Sequence, residues 1–152
     1  MQKLLESPAY PRLRDRAVFV LAQSKSDKAR AILAGLARGT ASPELQRKAI
    51  QYLGIMGSAE SRAALSEVYG TTTDIDVKRR VLRAFMVAGE KQRLLTLAQT
   101  EPNADLRGEA VRQLGVMGAS AELWQMYQKD ASVAVRKQIL QAMFIGGDAA
   151  RM

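Results

Sequence analysis

The sequence predicts an all-α protein in which helical hairpins stack into an α-solenoid, a right-handed superhelix of repeats. Three observations predict it. Five segments recur along the 152 residues without gaps. Apolar residues inside each segment follow the period of an α-helix, and each segment carries start or stop signals of a helix. Because one hairpin cannot bury its apolar face alone, stacking on its neighbours is the arrangement that buries it.

Each segment starts at an apolar anchor, counted here as position zero. The anchors are Leu13, Leu45, Val77, Leu106 and Val135. Positions zero, four, five and eight are apolar in every copy, and these positions share one face of a helix, whereas a strand would alternate. Position eight holds Leu21, Leu53, Phe85, Leu114 and Met143. The first helix of every repeat is therefore predicted to bury this face.

Residues around the segments predict where the first helices begin and end. Residues suited to N-capping precede four anchors by three places, and they are Ser42, Asp74, Asn103 and Ser132. Position twelve is glycine in four repeats, at Gly57, Gly89, Gly118 and Gly147. A glycine there is expected to end the helix with a positive φ.

A second helix follows each glycine. It reads DKARAILAGLA, AESRAALSEVY, KQRLLTLAQ and AELWQMYQK, with predicted buried anchors at position twenty of Leu33, Leu65, Leu97 and Met126. The chain is thus expected to be a single array over 1–152, with repeats at about 10–41, 42–73, 74–102, 103–131 and an incomplete 132–152. Lys25 replaces the expected glycine in the first copy and the fifth copy stops at Met152. Both departures suggest either a piece of a longer protein or a small array whose ends pair with another molecule.

The segments LQRKAIQYLGIMG and LRGEAVRQLGVMG resemble the short bacterial HEAT-like repeat, the type also found in phycobilin-lyase-like HEAT proteins. The resemblance covers nearly the whole chain, from about Ala9 to the C-terminus. It implies a protein-binding scaffold, since most HEAT-like proteins have that role, while a few bind DNA and a few handle chromophores. No residue of a chromophore lyase can be carried over to this sequence.

Composition disfavours most kinds of catalysis. Histidine and cysteine are absent, so the usual general base, thiolate nucleophile and transition-metal ligands are missing. The carboxylates are spread over helix starts and exposed faces and form no recurring pair. The sequence therefore predicts a non-enzymatic protein with no cofactor and no metal. No apolar run is long enough to span a membrane and no signal peptide is recognisable, which leaves a cytoplasmic or periplasmic location open.

Positive charge is concentrated in the first helices. The chain has 23 Lys and Arg against 15 Asp and Glu, a net charge of +8. Basic residues at the outward-facing positions two, three and six are Arg16, Arg47, Lys48, Arg79, Arg80, Arg83, Arg112 and Lys137, with Asp15 and Glu109 as outward acids. All of these cations except Arg16 and Lys137 are candidate polyanion-binding residues. This face could track phosphates in sequence-independent nucleic-acid binding. The competing interpretation, a solvated face that favours solubility, is preferred because few aromatic residues accompany the cations.

Position one is also mostly basic, with Arg14, Gln46, Lys78, Arg107 and Arg136. It lies at the edge of the buried stripe. The expected role is structural: the stem covers apolar surface of a neighbour and the head meets an acid in the adjacent repeat.

The second helices supply the leading candidate for partner binding. Position eighteen lies opposite the buried anchor and holds Leu95 and Trp124 in successive repeats, with Gln99 and Gln128 on the same face. This face is predicted to line the concave surface and to bind a partner protein or peptide. Alternatively, Trp124 packs sideways on Tyr127 and is partly buried. The predicted function is therefore a protein–protein interaction scaffold, with nucleic-acid binding as the alternative.

Overall fold

A computed structural model describes residues 11–24, 26–39, 43–129 and 133–145. Within these ranges the chain forms nine helices and no strand. The helices are α1 (Pro11–Gln23), α2 (Asp27–Ala37), α3 (Pro43–Met56), α4 (Ala59–Thr71), α5 (Ile75–Val87), α6 (Lys91–Thr100), α7 (Ala104–Val116), α8 (Ser120–Lys129) and α9 (Val133–Ile145).

The chain divides after Ala88 into two compact units. In the first unit the first helices α1, α3 and α5 pack on one another in succession, and the second helices α2 and α4 pack beside them and on each other. In the second unit α7 packs on α9, α6 packs on α7, and α8 packs on both α7 and α9. Stacked helical hairpins in both units confirm the predicted all-α solenoid. The division falls inside the repeat predicted at 74–102, and the single array over 1–152 stays a prediction.

The predicted apolar face of the first helices forms the core. At position eight, Leu53, Phe85 and Leu114 are each 0% exposed. Positions zero, four and five of the second, third and fourth repeats are buried as well. Equivalent side chains therefore occupy equivalent environments, as the repeat predicts.

Two of the predicted N-caps are confirmed. The side chain of Asp74 accepts hydrogen bonds from the backbone N–H groups of Asp76 and Val77, at 2.9 and 3.4 Å. Asn103 repeats this contact at the start of α7. These bonds satisfy donors that have no partner inside the helix. The other two predicted caps, Ser42 and Ser132, lie outside the described residues.

Three of the predicted helix-ending glycines have the expected backbone. The φ angles of Gly57, Gly89 and Gly118 are +60°, +78° and +75°, in the left-handed region that only glycine enters without strain. Gly39, which the repeat did not predict, has φ +87° after α2. Position twelve of the first and last repeats, Lys25 and Gly147, lies outside the described residues.

We expect Gly118→Val to lower the free energy of unfolding by about 1–2 kcal/mol, since a left-handed conformation costs a side-chain-bearing residue this much. A Cβ at Gly118 would meet no atom within 4 Å, so backbone strain alone causes the loss. Urea denaturation followed by circular dichroism measures it. Gly118→Asn is the control, because asparagine tolerates this region better, and equal losses in both variants would contradict the explanation.

The register of the second helices differs from the prediction in α6. Leu33 and Leu65 are 0% exposed, as expected, but Leu97 is only half-buried, and Leu94 and Ala98 take the buried face. The helix α8 has 10 residues, as α6 has, and its anchor Met126 is buried as predicted, so helix length does not explain the difference. The helix α6 packs on the following first helix, α7. Its buried face is shifted by one residue from the predicted one.

Candidate functional site

Two adjoining depressions lie between α3 and α5 in the first unit, and together they are called here the α3–α5 groove. One, of about 560 Å³, is lined by Glu44, Arg47, Lys48, Ile50, Gln51, Arg80, Arg83, Ala84, Met86 and Val87. The other, of about 410 Å³, is lined by Pro43, Gln46, Arg47, Asp74, Asp76, Val77, Arg79, Arg80 and Arg83. Five of the six predicted basic candidates thus surround one groove.

The groove changes character along its length. Arg47, Arg80 and Arg83 line both depressions and mark its middle. The larger depression has four cationic side chains against one carboxylate and an apolar lining that includes Ile50 and Val87. The smaller depression is polar. The groove therefore offers positive charge beside apolar surface.

The carboxylates in the smaller depression are engaged in local contacts. Asp74 caps α5, and Asp76 accepts a hydrogen bond from Arg79 at 3.2 Å. Arg47 and Arg80 are exposed and pair with no carboxylate among the described residues. These two guanidinium groups remain available to an acidic ligand.

A glycine sets how closely the two walls of the groove approach. A Cβ built on Gly54 in α3 would lie 3.0 Å from the Cα, Cβ and carbonyl oxygen of Ala84 in α5. A side chain at this position would require Ala84 to move away by a few tenths of an ångström. Since Ala84 also lines the larger depression, the contact with Gly54 fixes one side of the groove.

The sixth basic candidate, Arg112, lies in the second unit and is already engaged. Its guanidinium donates to Glu109 at 3.1 Å, and Gln113 donates to the other oxygen of Glu109 at 2.8 Å. Glu109 was predicted to point outward, and this prediction is wrong, because the side chain is only 4% exposed. A buried carboxylate requires such partners. Arg112 therefore neutralises an internal acid.

The predicted anchors on the second helices are less exposed than expected. The ring of Trp124 stacks on Tyr127 with centroids 5.3 Å apart and planes 6° apart. Trp124 and Leu95 are both half-buried, which corrects the prediction of an exposed pair and agrees with the alternative packing on Tyr127. Gln99 and Gln128 are exposed, as predicted. This face therefore presents one stacked, half-exposed aromatic pair, Trp124 and Tyr127, with polar neighbours.

Ion pairs connect successive second helices. Lys91 at the start of α6 lies 2.7 Å from Glu122 in α8, and the hydrogen bond from Lys91 lowers the pKa of Glu122. Arg38 donates two hydrogen bonds to Glu67 in α4, at 2.9 and 3.1 Å, and these bonds lower the pKa of Glu67 and raise that of Arg38. Each pair links two successive hairpins within its unit.

Side chains at position one bind the end of the preceding second helix. Gln46 donates to the carbonyl of Ala37 at 3.0 Å and Arg107 donates to that of Glu101 at 3.3 Å. The Lys78 ammonium lies 5.2 Å from the ring centroid of Tyr69. Positive charge near helix C-termini is favourable. The structural role of position one is thus supported, whereas the predicted acidic partner is wrong for Lys78 and Arg107.

Sequence reasoning missed that one apolar repeat position is exposed. Position ten of three successive first helices holds Ile55, Val87 and Val116, exposed by 60%, 53% and 49%. On α1, Phe19 is 49% exposed. The signal was present as an apolar residue recurring in a column outside the buried face.

The stacked two-helix hairpins define the chain as a helical-repeat protein of the α-solenoid class. A family model for HEAT repeats matches residues 1–86, and the chain belongs to the HEAT repeat family. Comparison with curated proteins found no match. Among the described residues, no helix has the length and apolar character to cross a bilayer, and no three carboxylates cluster in a way that could hold a metal ion.

Proposed function

We propose that the chain is a non-enzymatic scaffold that binds another protein through the exposed face of its second helices. Membership of the HEAT repeat family supports the general role, because these repeats are generally protein-interaction scaffolds. The resemblance of its segments extends the proposal to a bacterial protein with phycobilin-lyase-type repeats, and the face of the second helices is proposed as the concave one.

The stacked pair of Trp124 and Tyr127 is the observation that carries this proposal. The Arg136 guanidinium lies 5.2 Å from the ring centroid of Tyr127, so Tyr127 has a cation near it as well as the indole. The half-buried indole is held in place before a partner arrives. A preordered aromatic side chain loses little conformational freedom on binding. Gln99 and Gln128 then supply hydrogen-bonding groups around it.

Affinity capture with variants of Trp124 tests the proposal. Wild-type protein immobilised in a lysate of the source cells is expected to retain specific proteins, and Trp124→Ala is expected to lose them by about tenfold or more, as hot-spot truncation does. A photoreactive residue at exposed Gln128 should cross-link to the same proteins. The same residue at exposed Gln141, on the first helix α9 and outside the α3–α5 groove, serves as the site-matched control.

Trp124→Phe is the control for folding, because it keeps an aromatic ring against Tyr127. It should retain most of the captured protein, and circular dichroism should show equal helicity in both variants. Capture that is unchanged in Trp124→Ala would contradict binding at this face.

A further inference from the structure

We propose that the α3–α5 groove is a second docking site, which takes an acidic amphipathic helix of a partner protein. This inference goes beyond the scaffold function proposed above, because it assigns a different surface and the chemistry of its ligand. It depends on the charge and the apolar lining of the groove within the first unit.

Charge gives the first part of the argument. Arg47 on one wall and Arg80 on the other are exposed, and neither pairs with a carboxylate in the part of the chain that the structure describes. Arg83 lies beside them and lines both depressions. Opposed cations on two walls complement carboxylates of a segment that lies between them.

Apolar surface gives the second part. Beyond the arginines the larger depression is lined by Ile50, Ala84, Met86 and Val87. Among these residues, Val87 is 53% exposed. A ligand that binds through phosphates alone would leave this surface in water. An amphipathic helix covers it and brings acidic residues to the arginines at the same time.

The groove is less suited to nucleic acid. None of the described residues that line it is aromatic, whereas proteins that bind single strands stack bases on aromatic rings. In the second unit the repeat position of Arg80 is occupied by Glu109, a buried acid. The column of cations is therefore interrupted, while a phosphate backbone needs charge at regular intervals. A short protein segment fits this limited patch.

Binding of a synthetic peptide tests the proposal directly. The probe is a fluorescent helical peptide of about five turns, with Leu on one face and Glu beside it, and the comparison peptide has Gln in place of every Glu. Fluorescence anisotropy is measured at about 150 mM salt and at lower ionic strength. We expect saturable binding of the acidic peptide and binding weaker by at least about tenfold for the Gln peptide.

Variants of the full chain locate the site. Arg47→Gln/Arg80→Gln should lower the affinity for the acidic peptide by at least about tenfold. The control, Lys129→Gln/Lys137→Gln, removes the same charge from exposed positions in the second unit and should leave this affinity unchanged. Val87→Ser should lower the affinity by about threefold to tenfold, because apolar contact is lost. Circular dichroism should be the same for all three proteins, because the altered side chains are exposed.

Three results would overturn the proposal. One is the absence of saturable peptide binding up to about 1 mM. Another is an equal loss of affinity for the acidic peptide in both double variants, which would indicate general electrostatic attraction. The third is tighter binding of a single-stranded oligonucleotide of about 20 nucleotides, lost in Arg47→Gln/Arg80→Gln and unaffected by Val87→Ser, which would assign the groove to nucleic acid. Capture through Trp124 is independent of these results, so either proposal can fail alone.

Discussion

Replacing Gly115 by alanine is expected to destabilise the protein by about 3 kcal/mol, the upper part of the usual range for overpacking a tight contact. A Cβ on Gly115 in α7 would overlap the carbonyl oxygen of Ala142 in α9 and would lie 2.8 Å from its carbonyl carbon and 2.9 Å from its Cβ. The obstacle is backbone, which has no rotamer to change. The helices α7 and α9 must therefore separate, and buried contacts between them weaken.

The sign of the change in the free energy of unfolding makes this prediction specific. Alanine is the better helix former, so replacing a glycine by alanine at an open helical position raises the free energy of unfolding by about 0.5–1 kcal/mol. Gly35 in α2 is such a position, because a Cβ there would meet nothing within 4 Å. We expect Gly35→Ala to stabilise and Gly115→Ala to destabilise in the same urea-denaturation series. If both changes had the same sign, close packing at Gly115 would not be the cause.

The periodic part of the fold could be predicted from sequence. Apolar positions repeated with the helix period identified the core, and Leu53, Phe85 and Leu114 occupy the places that they predict. Capping and helix-ending residues acted locally, so Asp74 and Gly118 also behave as expected. These features depend on neighbours within one or two turns, which a sequence displays directly.

Contacts between helices could be predicted less well. The burial of Leu94 in place of Leu97 depends on how α6 packs on α7, which periodicity within one segment does not contain. Glu109 is buried with Arg112 and Gln113, one turn further along the helix, as hydrogen-bond partners, and periodicity does not show these contacts. Gly54 and Gly115 both occupy position nine, and each lies close to an alanine of the next first helix, Ala84 or Ala142. The sequence analysis did not predict these close contacts between helices.

The candidate surfaces were also predictable only in part: the sequence shows which residues share a helix face, but not the contacts that they make. The sequence predicted which cations face outward, and five of them surround one groove. It could not predict that Arg112 is neutralised by a buried acid, or that Trp124 is held against Tyr127. The apolar lining of the groove comes from the joint placement of two helices, α3 and α5, so no single segment displays it.

Phe85→Ala is expected to lower the free energy of unfolding by about 3–5 kcal/mol, through lost transfer energy and the cavity that remains. Phe85 is 0% exposed and is the largest of the fully buried side chains among the described residues. Its ring lies 6.4 Å from that of Tyr69 in α4, so it joins a first helix to the second helix of the preceding repeat. A stack of hairpins depends on such contacts between neighbours, and losing one weakens the unit that contains it.

Phe85→Leu is the control that distinguishes the loss of buried volume from the loss of the aromatic ring. Leucine is the residue at this position in the first, second and fourth repeats, so it fits the same kind of environment and should cost less than about 1.5 kcal/mol. Urea denaturation of both variants, with the slope checked against wild type, measures the difference. Equal losses for Ala and Leu would mean that the aromatic contact with Tyr69, and not filled volume, determines the energy at position eight. A loss below about 1 kcal/mol for Phe85→Ala would contradict its place in the core.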